Sequence, residues 1–363
     1  MTKPKVSVVV TSYNDEEFVE KCLRNIVEQT LEDIEIICID DVSQDSTVKI
    51  VKELAKKDKR IRVIVNEENQ GVSASRNCGI MEARADYVMF CDADDYYETT
   101  TCEELWRAIE SNKADLAVAE VNVIYHAHRE MKASDDNYYA LKYYGKQVLT
   151  DDVIYNTDLA PTNKIFRKTV IENNNIRFPE GHRYEDAYFC VAYMCCSRDA
   201  YYLNKRLYNY VRRENSFMST TWSKGQADVA IEHLTIAFLL FDFLEKKELL
   251  GRYNQLFWRF FEAFEAFAIN YSKSKNRVRE AKAKARQFIS GHQEYFDAAG
   301  AQERENIRRL SNRKLHIDTV RLKRLVVKFF PTYKLAAENV NQMQNLKKKQ
   351  QEVIEQIDKL TDM

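Results

Sequence analysis

Residues 87–95, YVMFCDADD, join a short apolar run to a cluster of three aspartates. The apolar run is typical of a buried β-strand, and the acids follow at the point where that strand should end. Carboxylate oxygens at a strand end are ligands that Mg²⁺ and Mn²⁺ prefer, and such a cation would neutralise a diphosphate. Taken alone, the cluster also fits a plain loop or a helix cap.

Three pairs of strand and helix precede this stretch. The apolar periodicity predicts strands over 5–11, 35–40 and 61–66, followed by helices over 15–29, 47–57 and 71–85 respectively. Such alternation implies right-handed crossovers and a parallel sheet. Because ligands bind beyond the carboxyl ends of parallel strands, the polar residues that follow each strand should converge there.

Composition restricts the class of protein. The chain has 363 residues, 45% of them hydrophobic and 31% charged, which excludes a disordered chain and predicts two or three domains. Lys and Arg number 55 against 56 Asp and Glu, so no overall field attracts nucleic acid and we expect no such partner. With only 8 Gly and 4 Pro, a Greek-key β protein is disfavoured and helix should dominate.

Cysteines and apolar runs indicate the compartment. The 8 cysteines form no CxxC pair and lie mostly within apolar segments, as reduced thiols in a cytoplasm do. The first apolar run is shorter than a signal-peptide core, and no stretch reaches the roughly 18 apolar residues of a membrane-spanning helix. We therefore expect a cytoplasmic protein, with peripheral contact to the inner membrane face as a further possibility.

The C-terminal third has a helical pattern. Aromatic residues at three- and four-residue spacing over 238–267 indicate packing between helices rather than a binding site. Residues 312–334 form a basic amphipathic segment that could lie on an anionic membrane or pack on protein. Apolar residues at heptad spacing over 339–363 predict a short coiled coil, and hence a homo-oligomer.

Four motifs together resemble a known family. VVVTSYN, IDDVSQDST, NQGVSASRNCGI and MFCDADD occur in this order at the intervals of successive βα units. The set resembles the nucleotide-binding half of family 2 glycosyltransferases, and the resemblance extends over roughly residues 4–215. It implies an α/β fold of the GT-A type, a Rossmann-like and mostly parallel sheet flanked by helices, followed by an α-helical C-terminal region.

The resemblance also implies a domain organisation. A GT-A catalytic domain is expected over 1–222, with its nucleotide-binding half over about 1–100 and its acceptor half over about 101–222. A helical domain over 223–311 and the basic segment and tail over 312–363 complete the prediction.

The donor nucleotide is assigned to the first half. Thr11, Tyr13 and Asn14 match the segment that lies against the base in this family. Asp41 matches the carboxylate that accepts from uracil N3–H, a donor that cytosine and adenine lack, so UDP is favoured over CDP or GDP. The alternative for Asp41 is a helix cap, although Ser46 could supply that cap instead.

The same resemblance places a divalent cation, Mn²⁺ or Mg²⁺, at the aspartate cluster. Asp92 matches the ribose contact and also lies at the metal, Asp94 matches the direct metal ligand, and Asp95 is an outer group. Arg76 matches an arginine near the base or diphosphate. Gly71, just before it, would let the backbone approach the ligand.

The acceptor side is predicted downstream. The segment 179–187, PEGHRYEDA, resembles the family's ED motif, in which the second acid removes the proton of the acceptor hydroxyl. Asp186 is therefore the expected catalytic base, with Glu185 and His182 on the acceptor side. The alternative is that both acids only begin a helix.

Three further cations are assigned to the diphosphate or sugar. Lys164 lies in the segment PTNKIF, which resembles a family stretch near the donor sugar or acceptor. Arg212 and Arg213 lie in another such stretch and could hold the diphosphate or form surface ion pairs. The QxxRW motif of processive synthases is absent before Trp222, which favours transfer of a single sugar.

These assignments predict an inverting hexosyl- or N-acetylhexosaminyltransferase that moves sugar from UDP to a hydroxyl of a glycan or lipid-linked acceptor in cell-surface polysaccharide synthesis. Two alternatives stay open. A nucleotidyltransferase would ordinarily carry a glycine-rich phosphate loop where this chain has TSYNDEE. A non-catalytic glycan- or nucleotide-binding scaffold of the same fold would have little reason to keep four separated acids.

Overall fold

A ten-stranded sheet organises the part of the chain that is described, residues 3–127, 130–139, 141–213, 231–272 and 274–312 of a computed structural model. The strand order is β3-β2-β1-β4-β9-β6-β10-β5, with β7 paired to β6 and β8 paired to β10. The strands are β1 (Val6–Ser12), β2 (Ile34–Asp40), β3 (Ile61–Val65), β4 (Tyr87–Asp92), β5 (Tyr96–Tyr97), β6 (Leu116–Ala127), β7 (Glu130–Tyr139), β8 (Gly145–Val148), β9 (Lys164–Arg167) and β10 (Asp199–Arg213).

Helices connect these strands and form the region after them. In the first part they are α1 (Val19–Val27), α2 (Thr47–Lys57), α3 (Gly71–Glu82), α4 (Thr101–Ser111), α5 (Asp151–Tyr155), α6 (Lys168–Asn174) and α7 (Glu185–Cys195). The C-terminal ones are α8 (Glu232–Lys246), α9 (Leu250–Tyr271), α10 (Lys275–Gly291), α11 (Gln293–Asp297) and α12 (Ala301–Asn312). The predicted sheet with flanking helices and a helical C-terminal region is confirmed.

The first half is parallel and the second is mixed. β3, β2, β1 and β4 all pair in parallel. β9 then runs antiparallel to both β4 and β6, and β5, β7 and β8 are also antiparallel to their neighbours. The predicted strands of the first half agree with the structure to within one residue at each end.

Two predicted helices are shorter than expected. The helix over 15–29 begins only at Val19, because the carbonyl of Asp15 closes a turn with the N–H groups of Phe18 and Val19. The helix over 71–85 ends at Glu82, since Ala83 has extended backbone angles (φ −65°, ψ 129°) and the chain then enters β4. Both differences arise at ends, where periodicity is least informative.

Helix α3 packs unusually closely on the sheet. A Cβ built at Gly79 would lie 2.2 Å from Cγ1 of Val9 on β1, so no larger residue fits without movement. Val9 is fully buried, and the helix that presses on it also carries Arg76. This contact therefore sets how far the side chains of α3 reach across the end of the sheet.

Aromatic side chains pack the helices of the C-terminal region. Trp258 and Phe241 are both fully buried, and Phe288 lies 5.1 Å from the Phe241 ring centroid and 6.2 Å from that of Trp258. The predicted packing role is confirmed. Six of the 8 cysteines are buried, consistent with small hydrophobic side chains. Among the described residues, none of the helices combines the length and apolar character needed to traverse a bilayer.

Several predictions concern residues outside the described part. The basic segment 312–334, save its first residue, and the tail 339–363 lie there, as do Trp222 and the side chain of Arg213. The described residues belong to one compact unit, residues 1–314.

Candidate active site

The register of β1 brings polar residues of three strands to one edge of the sheet. Thr11 pairs with Asp92 of β4, and Ser12 pairs with Asp40 of β2. The Thr11 hydroxyl lies 3.4 Å from Oδ1 of Asp92, and the Ser12 hydroxyl donates to Oδ2 of Asp40 at 3.1 Å. The predicted convergence at the carboxyl ends of the strands is therefore observed. We call this edge the rim.

Asp41 lies beside the rim and is largely engaged by protein groups. Its Oδ1 accepts from Nδ2 of Asn66 (2.7 Å) and from the N–H of Gln70 (3.0 Å), while Oδ2 accepts from the N–H of Gly71 (2.8 Å). Asp41 thus caps α3 and not α2, the helix that directly follows it in the chain. The glycine is required because φ at Gly71 is +86°.

Helix α2 has a different cap from the one considered. Ser46 makes no side-chain capping bond; instead Oδ1 of Asp45 accepts from the N–H of Thr47 at 3.0 Å. The residue before a helix does not always cap it, because a neighbouring acid in a turn reaches the same N–H groups.

The loop after β1 is held by hydrogen bonds across the rim. Asn14 adopts a left-handed conformation (φ 55°), its N–H donates to the Ser43 hydroxyl at 2.9 Å, and its side-chain oxygen accepts from the N–H of Gln44 at 2.7 Å. Tyr13, next to it, is 49% exposed. Asn14 therefore shapes the loop, and Tyr13 offers an open aromatic face.

The acids of the 92–95 loop have different environments. The side chain of Asp92 is 35% exposed and Asp94 is half-buried, whereas Asp95 is only 3% exposed. Asp95 accepts from the hydroxyl of Tyr208 and, at 2.7 Å, from the N–H of Val211. Asp95 thus joins the loop to β10. The sequence around Asp95 gives no indication of these contacts, because its partners lie more than a hundred residues away.

Burial and like charge act together on Asp95. Loss of water raises the pKa of its carboxyl well above the usual range, and the charges of Asp94 and Asp92 raise it further. Because Asp95 is buried, the two more exposed acids, Asp92 and Asp94, are the ones that a cation could reach.

A small cleft adjoins this loop. It has a volume of about 140 Å³ and is lined by Glu17, Phe18, Lys21, Cys22, Asp94, Asp95, Tyr96 and Val211. The ammonium of Lys21 lies 4.2 Å from the centroid of the Tyr96 ring. Partial burial lowers the pKa of Lys21. A cation of α1 thus faces the aspartate loop, which the sequence pattern did not indicate.

Glu185 and Asp186 begin α7 at the same rim. Tyr184, just before them, has a left-handed backbone (φ 64°), which turns the chain into the helix. Burial raises the pKa of Asp186 to about 7, and Glu185 adds to this, whereas the charge of Arg76 opposes it. A carboxyl with such a pKa exchanges protons readily near neutral pH, as a general base must.

Arg76 links the two groups of acids. Its Nη2 lies 3.0 Å from Oδ1 of Asp92, and its Nη1 lies 2.9 Å from Oε1 of Glu185. The adjacent Asn77 holds the segment before α7: its Nδ2 donates to the carbonyl of Phe178 and to Oε1 of Glu180, both at 2.9 Å. Asn77 lies in the same SASRN motif as Arg76, but neither its residue type nor its spacing indicated this role.

The remaining predicted residues differ in their relation to the rim. Nδ1 of His182 lies 3.3 Å from Oε2 of Glu232, so this polar contact joins His182 to α8. The guanidinium of Arg212 lies 5.8 Å from the ring of Tyr210. Burial raises the pKa of Tyr210, and the charge of Arg212 lowers it while the acids of the 92–95 loop raise it, so Tyr210 lies near both groups.

Lys164, which is predicted to lie near the donor sugar or acceptor, is fully buried. Its ammonium donates to the carbonyl of Ala160 (2.6 Å) and to Oδ1 of Asn163 (2.8 Å), and lies 3.5 Å from Oδ2 of Asp158. The first two contacts are hydrogen bonds, and the third is an ion pair. In this conformation Lys164 orders the loop before β9 and the carboxylate of Asp158.

The acids of the rim fit a cation that a diphosphate helps to hold. Within the described ranges, no group of three or more His, Cys, Asp or Glu side chains is arranged to bind a metal ion by itself. Mg²⁺ typically takes one or two carboxylates together with substrate phosphates, which is what Asp92 and Asp94 offer. Oδ1 of Asp92 already contacts Arg76, so Oδ2 is the oxygen available.

Comparison with known proteins gives matches along most of the described chain. Residues 7–174 match the family model described as glycosyl transferase family 2. The chain is 31% identical over 253 residues to EpsH of Bacillus subtilis, an alignment covering 66% of this chain and 70% of EpsH. It is also 31% identical over 248 residues to the glycosyltransferase GlyA of Streptococcus pneumoniae, but that alignment spans only 34% of GlyA.

A solved structure shares the fold. Residues 1–349 of Staphylococcus aureus TarS, crystallised in complex with UDP-GlcNAc, superpose with a TM-score of 0.56 at 21% identity, covering 85% of this chain and 90% of that one. At this identity the likeness concerns the architecture, which includes both the sheet and the helical region that follows it.

Proposed function

We propose that this chain, which belongs to glycosyltransferase family 2, transfers a single sugar from a UDP-sugar to a hydroxyl of a glycan or lipid-linked acceptor, with inversion at the anomeric carbon. One observation carries the proposal. Asp186, whose pKa burial raises to about 7, lies next to Glu185, and Arg76 joins Glu185 to Asp92 at the rim. A candidate base is thereby held beside the candidate donor site.

Uridine diphosphate is the favoured donor nucleotide. The carboxylate of Asp41 uses three of its roughly four acceptor positions on protein donors, which leaves one on Oδ2 for the N3–H of uracil. Thr11 and the exposed ring of Tyr13 lie on the same loop edge, where a base and ribose would rest. The TarS structure with UDP-GlcNAc, a protein of the same architecture, supports this choice.

The reaction would proceed by one in-line displacement. Asp186 accepts the proton of the acceptor hydroxyl as that oxygen attacks the anomeric carbon, and the bond from this carbon to the diphosphate oxygen breaks. Because attack comes from the face opposite the leaving group, the anomeric configuration inverts. Asp186 holds the proton at the end of the step and releases it to water afterwards.

The departing diphosphate would need positive charge at a rim that is rich in acids. Asp92 and Asp94 would hold Mn²⁺ or Mg²⁺, which would supply that charge to the phosphate oxygens. Arg212 on β10, and Arg213 beside it in sequence, are the protein's own candidates for the same oxygens. The fully buried Lys164 would act through the loop that it orders.

The direct test is a panel of sugar nucleotides. Purified protein is incubated with UDP-glucose, UDP-galactose, UDP-GlcNAc, GDP-mannose or a CDP-sugar and Mn²⁺ or Mg²⁺, and free nucleotide is measured. Release from UDP-sugars alone is expected. Release only from GDP- or CDP-sugars would refute the assignment of Asp41. The panel also separates a hexosyltransferase from an N-acetylhexosaminyltransferase.

Asp186→Asn tests the base, and Asp151→Asn is a matched control. Both acids lie in the first turn of a helix, and burial raises the pKa of both, but Asp151 faces Arg259 of α9 rather than the rim. Loss of a general base costs about 10²- to 10⁴-fold in rate. We expect that loss for Asp186→Asn with UDP binding kept, and near-normal turnover for Asp151→Asn. Equal rates in the two variants would place the base elsewhere.

Two proposals concern the part of the chain that is not described. The basic segment 312–334 would contact anionic lipid at the inner face of a membrane, and the tail 339–363 would support a homo-oligomer. Flotation with anionic vesicles at low salt tests the first, and no retention would remove it. Light scattering after deletion of 339–363 tests the second, and an unchanged molar mass would remove that one.

Family membership favours glycosyl transfer over the two alternatives considered. A nucleotidyltransferase would instead join a sugar 1-phosphate to UTP and release pyrophosphate, so a pyrophosphate assay run with these two substrates distinguishes it. A non-catalytic scaffold would bind UDP without releasing it from any donor.

A further inference from the structure

Arg76 makes the connection between two regions that are far apart in sequence. It projects from α3 and is only 5% exposed, with Asp92 at the end of β4 on one side and Glu185 at the start of α7 on the other. Its guanidinium carbon also lies 5.2 Å from the centroid of the Phe178 ring. The partners are 16 and 109 residues away along the chain.

The two ion pairs of Arg76 are not exposed surface pairs. The side chains of Arg76, Asp92 and Glu185 are 6%, 35% and 12% exposed. A buried arginine is costly unless its charge is paired, and removal of one partner from a buried pair leaves an uncompensated charge. Arginine suits two partners at once because its planar group has five N–H donors, whereas an ammonium is a single point charge.

We propose that Arg76 is a positioning residue that assembles the two halves of the site, holding the Glu185–Asp186 start of α7 in fixed relation to Asp92 on the donor side. This inference rests on the proposed role of Asp186 as the base. It assigns to Arg76 a task other than contact with the base or diphosphate of the donor, since both ends of its guanidinium are engaged by carboxylates.

The charges around Asp186 provide a readout of this arrangement. Burial raises the pKa of Asp186, as do the carboxylates of Glu185 on its own helix and of Asp158 in the loop before β9, while Arg76 on α3 lowers it. Lys164 lies 3.5 Å from Asp158 and partly offsets that charge. Loss of Arg76 should therefore raise the pKa of Asp186, and so reduce the fraction of base that is deprotonated at neutral pH.

The experiment follows Asp186 directly, without requiring turnover. Full-length protein carrying ¹³C at the aspartate side-chain carboxyl is titrated by NMR from pH 5 to pH 9, and the Asp186 signal is assigned by its loss in Asp186→Asn. Arg76→Gln should raise the titration midpoint by about one pH unit, the lower end of the effect of an opposite charge nearby. Arg62→Gln is the matched control, because Arg62 also pairs with two carboxylates, Glu35 and Glu82, at the opposite end of the strands.

An Asp186 midpoint that is the same in wild type and in folded Arg76→Gln overturns the inference, as does an equal shift in Arg62→Gln. Fold is checked by near-ultraviolet circular dichroism. If Arg76→Gln does not fold, Arg76→Lys carries the test. It keeps the charge, so the midpoint should stay within about half a unit, but kcat should fall about tenfold because one point charge cannot hold both carboxylates. Wild-type kcat in that variant overturns the inference.

The outcome separates this inference from the proposed function. A shifted midpoint in a protein that uses no sugar nucleotide would refute the function and leave the placement of Arg76 intact. Turnover that depends on Asp186, with a midpoint unaffected by Arg76, would do the reverse.

Discussion

Glu265 offers a quantitative test of the helical region that needs no substrate. It lies on α9 and is fully buried; its Oε1 accepts from the Ser311 hydroxyl at 2.7 Å, and its Oε2 has no hydrogen-bond partner among the described residues. Burial raises the pKa of Glu265 to about 8, although Ser311 and the charge of Lys282 oppose this. With this pKa, the carboxyl is mostly neutral in the folded protein at pH 7.

The sign and size of the effect follow from linkage. The folded state binds the proton more tightly than the unfolded state, whose glutamate pKa is 4.5, so stability is full below that value and falls as pH rises toward 8. When the titrations of Glu265 in the folded and unfolded states are both integrated, the free energy of unfolding falls by about 3.5 kcal/mol between pH 5 and pH 8. Glu265→Gln cannot ionise and should lack this loss.

The assay is urea unfolding at pH 5, 6, 7 and 8, followed by the fluorescence of Trp258, which is buried on the same helix. The free energy of unfolding of Glu265→Gln relative to wild type should rise by about 3.5 kcal/mol across this range. Glu305→Gln, at an exposed position of α12, serves as control and should show no such trend. A constant difference between Glu265→Gln and wild type would refute the reasoning, because it would mean that the folded protein holds this carboxylate ionised.

Three further predictions concern the α/β part. With a pKa of about 7 for Asp186, kcat should rise about tenfold between pH 6 and pH 8, measured as UDP release; a flat profile would contradict its role as base. Gly79→Ala should lower the free energy of unfolding by about 1–3 kcal/mol, since its Cβ meets β1 at 2.2 Å, whereas Gly251→Ala, with open space around it, should be neutral or stabilising in the same urea experiment. Asp95→Ala should lower the melting temperature and weaken UDP binding together, because it frees the 92–95 loop from β10; a variant that loses neither would show that this link is dispensable.

Much of the fold could be read from local pattern. The period of apolar residues located β1 to β4 to within a residue. β1, β2 and β4 are buried on both faces and therefore produce continuous apolar runs, whereas β3 is only partly buried. The same logic placed the polar ends of these strands at one edge. It did not anticipate the antiparallel β9 between β4 and β6, since strand pairing depends on contacts between segments more than forty residues apart.

The candidate site was only partly predictable for a related reason. Motif order identified the residues at the rim, yet their partners are set by packing. Asp41 caps α3 rather than the helix that follows it, and Lys164 is enclosed by its own loop. Neither residue type nor spacing distinguishes an exposed lysine from one that is fully buried, as Lys164 is.

By itself, the sequence determined which segments become strands and helices and which acids lie at their ends, because backbone geometry and apolar periodicity act over a few residues. The tertiary structure decided what each charged group does. Asp95 is turned inward to β10, Asp92 is shared with Arg76, and Asp186 has a pKa near neutrality. Burial and charge pairing depend on distances in space between residues that are remote in the chain, and those distances exist only once the sheet and helices have packed.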